Sequence, residues 1–216
     1  MNLTTAHEIM YKNEPCVELK AGGYMAWIAP GIGSNVIRLR DEAHDIEIFR
    51  FDPDITPEDI RKSPEVYGLP TLYLPNRLDR GRLKTSDAVY QLPVNEADLG
   101  NFIHGFLHKR PYSVVDVLAT EQKAIAKTEY LYDENDEYFP NLPIKFKAEF
   151  TFTLSETGLD YAFTITNLSD RQMPYGVCTH TTMMGPFTSD GKGEDMRLYV
   201  PIGEKWQLND RCLPTG

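Results

Sequence analysis

Lys145-Phe146-Lys147-Ala148-Glu149-Phe150-Thr151-Phe152-Thr153-Leu154 alternates without a break, apolar at even positions and polar or charged at odd ones. The turn Ser155-Glu156-Thr157-Gly158 follows. In Leu159-Asp160-Tyr161-Ala162-Phe163-Thr164-Ile165-Thr166-Asn167 the apolar residues move to odd positions. Period two places successive side chains on opposite faces of a strand. The two stretches therefore predict an antiparallel hairpin with one buried face and one wet face.

The same pattern spreads outward from this hairpin. Tyr112 to Leu118 and Ala124 to Tyr132 carry β-branched and aromatic residues and read as strands. Nearer the N-terminus, Tyr24–Ala29 is apolar and aromatic and stops at Pro30-Gly31. Asn35–Arg40 alternates after Val36, and Asp45–Arg50 alternates cleanly. One short helix is expected after Thr56, with Pro57 at its first position, acids in its first turn and Pro64 limiting its length. Many short strands at turn-marked spacing predict an all-β chain, a large antiparallel β-sandwich, rather than alternating βα units. No repeat or Gly/Ser linker divides it, so residues 1–216 are read as one domain.

Composition narrows the function classes. The 216 residues are 41% hydrophobic and 25% charged, which suits a globular fold with a sizeable core. A formal net charge of −10 argues against a nucleic-acid partner and against docking on anionic lipid. Asp133 to Glu137 reads as a solvated acidic loop. Cys16, Cys178 and Cys212 form no C-x-x-C pair and are odd in number, which fits a reducing compartment. The N-terminus shows no signal-peptide pattern and no apolar run is long enough to span a bilayer, so the expected location is cytoplasmic.

Two stretches break the strand rhythm. Tyr67-Gly68-Leu69-Pro70 to Pro75-Asn76-Arg77-Leu78 is a proline-bounded loop with an arginine, a residue able to donate several hydrogen bonds to hydroxyls or simply to lie on the surface. Ile103-His104-Gly105-Phe106 sets an imidazole beside a residue with no side chain, where a ligand can approach closely. Later, His180 stands among Thr179, Thr181 and Thr182. Each histidine alone reads first as a structural residue, and only the fold can join the two. A His104–His108–His180 metal site is an alternative, weakened by the absence of a nearby acidic second shell. A Cys178–His180 thiol mechanism is another, although nothing marks Cys178 as activated.

In order along the chain these segments resemble the aldose 1-epimerase, or galactose mutarotase, family. Tyr67–Pro70 with Pro75–Leu78 is similar to its Gly-x-Pro…Pro-x-x-Asn-Arg turn, and Tyr90–Glu96 to its Tyr-x-Leu-x-x-Asn strand end. Ile103–Phe106 resembles its Leu-His-Gly motif, and Phe139-Pro140 its Tyr-Pro-Gly stretch. Pro174–His180 stands in the place of its Asn-His-x-Tyr-Phe region, and Leu213-Pro214-Thr215-Gly216 resembles its Leu-Pro-x-Gly turn. The resemblance implies a galactose mutarotase-like supersandwich with a hexose or related sugar as ligand, no cofactor and no metal. Arg77 and Asn76 would bind substrate. His104 would orient the sugar near its ring oxygen, His180 would protonate that oxygen, and the sugar would be held between the two.

Two departures from the pattern matter. Thr181-Thr182-Met183 replaces the family's aromatic pair. The family's base glutamate and a sugar-binding aspartate follow its Leu-Pro-x-Gly turn, where this sequence stops. The expectation is therefore a sandwich lacking the family's C-terminal strands, with exposed sheet edges that favour a homodimer. Two functions stay open: an isomerase interconverting the α and β anomers of an aldose, or a non-catalytic carbohydrate-binding protein on the same fold.

Overall fold

The computed structural model describes residues 3–215. Gly216, the last residue of the Leu213–Gly216 motif, lies outside them. Among the described residues two antiparallel sheets dominate. The first has five strands in chain order: β1 (Thr5–Tyr11), β2 (Glu14–Ala21), β3 (Tyr24–Ala29), β4 (Asn35–Asp41) and β5 (Ile46–Glu47). Four short strands follow the helix: β6 (Thr71–Leu72), β7 (Arg77–Asp79), β8 (Arg82–Lys84) and β9 (Val89–Gln91). After β10 (Asn101–Ile103), the second large sheet runs β11 (Ser113–Ala119), β12 (Ala124–Tyr132), β13 (Phe146–Ser155) and β14 (Gly158–Asn167). The last strand is β15 (Cys178–Thr179).

The hairpin expected from residues 145–167 forms as β13 and β14, with Phe150 opposite Phe163 and Phe152 opposite Tyr161. Phe146, Ala148, Phe150, Phe152 and Leu154 are buried, and the polar residues between them are half-exposed. These side chains meet Val17, Leu19 and Ala21 of β2 and Ala26 and Ile28 of β3 across the sandwich. Burying each phenylalanine contributes about 1.5–3 kcal/mol as an upper estimate. The odd-numbered row of β14, Leu159 to Ile165, is only half-buried because that strand has no neighbour on its far side among the described residues.

The outer face of the first sheet carries a second, smaller core. A bulge opposite Trp27 and Ile28 leaves Ile37 out of the β3–β4 register. Val36 thus joins the main core, while Ile37 turns outward to Tyr11, Cys16, Phe51 and Ile60. Helix α1 (Pro57–Lys62) covers this face through Ile60, and Arg61 reaches Glu14 at 2.6 Å. Its start follows the expected chemistry. Thr56 caps it, Asp59 closes the capping box and Pro57 opens the first turn.

Two expectations need correction. Residues 45–50 do not form one strand. The ladder with β4 covers Ile46–Glu47, then the chain changes partner, and Arg50 N–H donates to the Thr182 carbonyl at 2.9 Å. Asp133–Glu137 is not wholly solvated: Asp136 is buried, accepting from Arg110 Nε at 2.6 Å and from the Tyr130 hydroxyl at 2.6 Å. Beyond the expected strands, β1 and β2 extend the first sheet in a region where the alternating pattern is less regular. No helix among the described residues is long and apolar enough to cross a membrane.

Candidate functional site

The two histidines come together. Their ring centroids lie 5.4 Å apart at an interplanar angle of 68°, an edge-to-face contact. A sugar ring sandwiched between them would need two van der Waals contacts of about 3.5–4 Å each. The spacing is too small for that. The expectation of a sugar held between the histidines is corrected: no ring fits between them.

Local backbone structure places each ring. His104 follows β10, which pairs with β7 so that Ile103 lies opposite Arg77. Its amide donates to the Asn76 carbonyl at 2.9 Å, and the Phe106 amide donates to the Tyr73 carbonyl at 3.1 Å. His104 and Gly105 are both left-handed, at φ 64°. A Cβ on Gly105 would fall well inside van der Waals contact of the Tyr73 carbonyl oxygen. Only glycine combines that φ with that approach. On the opposite side, β15 pairs with β6, and His180, just beyond β15, donates its amide to the Pro70 carbonyl at 3.0 Å. The proline-bounded loop thus supports both rings, through Asn76 for His104 and through Pro70 for His180.

The two imidazoles differ in surroundings. His180 is exposed, whereas His104 is half-buried with Nδ1 sealed and unpartnered. Burial, reinforced by the neighbouring His180, pushes the His104 pKa down, so its neutral form is favoured. A neutral imidazole can accept a hydrogen bond at one nitrogen and donate one at the other.

Arg77 and Asn76 reach the site differently from one another. Arg77 is clamped to Glu96, with Nε at 2.9 and 3.1 Å from its two oxygens and Nη2 at 2.8 Å. These bonds raise the Arg77 pKa and hold the Glu96 carboxyl below its usual range. Nη1 has no protein partner among the described residues. Asn76 is exposed and left-handed at φ 57°, and its visible task is the carbonyl that holds His104.

Sequence reading missed three contributors. Glu96 was part of a motif without a role. Arg211 ties the C-terminal turn to the site, donating to the Leu99 and Gly100 carbonyls at 2.8 Å and to Asn101 Oδ1 at 3.0 Å. Asn101 in turn donates to Glu96 at 2.9 Å. The Glu65 charge favours the His104 cation, against the larger effect of burial. Each lies far in sequence from its partner, and no local pattern announces such pairs.

The metal and thiol alternatives find no support in the geometry. Among the described residues no three His, Cys, Asp or Glu side chains converge as a metal-holding group. His108 lies in the one-turn 3-10 segment Leu107–Lys109 and is fully enclosed. Burial raises the Cys178 pKa, which disfavours the thiolate.

His108 supplies a pH test of the fold. Burial pushes its pKa down to about 3, against about 6.5 in an unfolded chain. The unfolded state therefore binds a proton that the native state refuses, and stability falls as pH drops from 6.5 toward 3. Urea unfolding is expected to show a loss of about 1–2 kcal/mol from this group by pH 5. His104 adds a change of the same sign, so the H108Q variant isolates the His108 share. An unaltered pH dependence in that variant would contradict the assignment.

The aldose 1-epimerase family matches residues 15–216. The chain belongs to the aldose 1-epimerase family. A galactose mutarotase-like protein from Clostridium acetobutylicum shares 32% identity and superposes with a TM-score of 0.94, over 98% of this chain and 63% of that one. The Escherichia coli (strain K12) protein named "uncharacterized protein YihR" is 24% identical over 208 residues, covering 95% of this chain and 61% of that protein. A galactose mutarotase-like protein from Lactobacillus casei, at 16% identity and a TM-score of 0.56, covers 75% of this chain and 47% of its own and shows the fold alone. This aldose 1-epimerase family chain thus spans about three fifths of the length of the first two relatives. The β-sandwich expected from strand alternation is the fold of these mutarotase-like proteins.

Proposed function

We propose that the protein interconverts the α and β anomers of an aldose by acid–base opening of the sugar ring. The observation that carries this reading is the contact of His104 with His180, centroids 5.4 Å apart, one ring half-buried and the other open to solvent. Family membership supplies the substrate class. In the reaction the anomeric hydroxyl gives up its proton and the bond from C1 to the ring oxygen breaks. Its electron pair stays on the oxygen, which takes a proton. Rotation about C1–C2 and reclosure on the other face return both protons.

His180 is the acid that protonates the ring oxygen, since imidazole donates and accepts readily near neutral pH. His104, held rigidly by Asn76 and Gly105, orients the sugar through its open nitrogen. Arg77 Nη1 contacts a hydroxyl, with the guanidinium fixed in place by Glu96. On the family pattern the base is a glutamate that follows the Leu-Pro-x-Gly turn.

Optical rotation of freshly dissolved α-D-glucose and α-D-galactose tests the reading. Relaxation faster than buffer alone is expected. A rate equal to buffer for every aldose tried, with thermal stabilisation by those sugars retained, would overturn the isomerase reading in favour of a carbohydrate-binding protein.

A further inference from the structure

Among the described residues, every hydrogen bond from the C-terminal turn 207–215 to the rest of the chain runs through Arg211. The turn organises itself first. Asn209 Oδ1 accepts from the Arg211 and Leu213 amides at 2.9 and 3.0 Å, a side-chain turn that presents the arginine. The guanidinium then spans two elements of the site. Nη1 reaches Asp79 Oδ1 at 2.5 Å, two residues beyond Arg77 on the same face of β7. Nε and Nη2 donate to the Leu99 and Gly100 carbonyls at 2.8 Å, and Nη2 also donates to Asn101 Oδ1 at 3.0 Å. Asn101 is fully buried, and its Nδ2 donates to Glu96 Oε2 at 2.9 Å and to the Arg211 carbonyl at 3.0 Å. Arg211 therefore decides which way this amide faces. A guanidinium only donates, so it draws Oδ1 to itself and leaves Nδ2 for Glu96. The reverse orientation would set an amide oxygen against the Glu96 carboxylate.

We propose that Arg211 is a positioning residue for Arg77: through Asn101 and Glu96 it holds the Arg77 guanidinium in the pose that meets a sugar hydroxyl. This deepens the reading of Arg77 as a sugar-binding residue and rests on it. An arginine side chain loses much rotamer freedom when it is held in one pose. Glu96 holds it by accepting from Nε and Nη2 together, a paired geometry that fixes the plane of the guanidinium. Glu96 is a flexible side chain in turn, and Asn101 is its second anchor. Arg77 and, after it, Asn101 hold the Glu96 carboxyl below its usual range. Without Arg211 the buried Asn101 Oδ1 loses its donor, and the amide is free to turn away from Glu96. The coupling is reciprocal, so sugar bound at Arg77 also tightens the turn 207–215 onto Asn101.

Arginine NMR on residues 1–216 tests the link in the absence of sugar. R211M removes the donors and keeps an apolar stem. In R211M the Arg77 Nε–H is expected to exchange with water about fivefold faster or more, the scale of one lost hydrogen bond. The Arg110 Nε–H, bonded to Asp136 at 2.6 Å, is expected to stay unchanged. R211K keeps a charge beside Asp79 but not the fork, so it should recover less than half of the lost protection. An unchanged Arg77 rate in R211M would overturn the proposal. So would an equal change at Arg110, which marks a general loosening, or full recovery in R211K, which leaves the fork no role. Titrated with D-galactose, R211M is expected to bind about five- to tenfold more weakly than the unaltered protein, and equal affinity would overturn the link to the sugar. If the unaltered protein binds no sugar, the reading of Arg77 fails while the exchange rates still judge the Arg211 link, so the two fail separately.

Discussion

His180→Gln is expected to lower kcat for mutarotation by about 10²–10⁴-fold, the usual contribution of a positioned general acid. Glutamine keeps a donor of similar reach but carries no labile acid proton. KM is expected to change little, because binding rests on Arg77 and His104. The same substitution leaves the support of the ring in place, since His180 is anchored through its backbone amide to Pro70. Its exposed side chain makes no hydrogen bond among the described residues, so stability should hold within about 0.5 kcal/mol. Optical-rotation kinetics and urea unfolding on the same preparation separate these effects. A loss in kcat under tenfold would remove His180 from the acid role.

Gly105→Ala is expected to be the most damaging small substitution in the site. The added methyl would meet the Tyr73 carbonyl oxygen, a backbone atom with no rotamer to escape into. The φ of 64° adds a second penalty that any side chain would carry. Relief requires moving β6 and the loop after it away from His104. That would stretch the Phe106–Tyr73 hydrogen bond at 3.1 Å. A loss of about 3 kcal/mol or more is expected in urea unfolding. Sugar binding should fall with it, because His104 follows Gly105 out of place. A loss under about 1 kcal/mol would show that the loop yields easily and that His104 is not rigidly held.

The parts of the molecule that sequence made legible are those built on local periodicity. Phe146 to Leu154 shows its buried face residue by residue, because a strand between two neighbours keeps strict alternation. Thr56-Pro57-Glu58-Asp59 announces its helix through capping chemistry that needs no tertiary partner. Other elements were hidden for physical reasons. The β2–β3 hairpin turns at Gly22-Gly23, both at positive φ, which sequence alone did not show. The β1–β2 turn uses Lys12-Asn13, which lacks the usual glycine, and so β1 gave little warning. Residues 45–50 alternate well, yet the chain divides between two partners, and alternation says nothing about which strand a residue meets.

The site shows the same division. His104 and Gly105 form a readable pair because the backbone approach at Gly105 leaves a mark on the sequence. His180 and Arg77 were located through the ordered resemblance, not through any property of their neighbours. The edge contact of the two rings could not be read in advance, and it changed how a sugar can meet them. Glu65, Glu96 and Arg211 act on residues distant in sequence. Their roles depend on distances that only the folded chain supplies.

The central claim is that His104 and His180 meet one sugar from a shared open side. The most direct measurement is a titration of residues 1–216 with α,β-D-galactose and D-glucose, followed by the ring C–H resonances of all five histidines. The account predicts that His104 and His180 move together along one binding curve, while His7 and His44 stay still. Movement of only one of the pair, or of neither up to high sugar concentration, would contradict it.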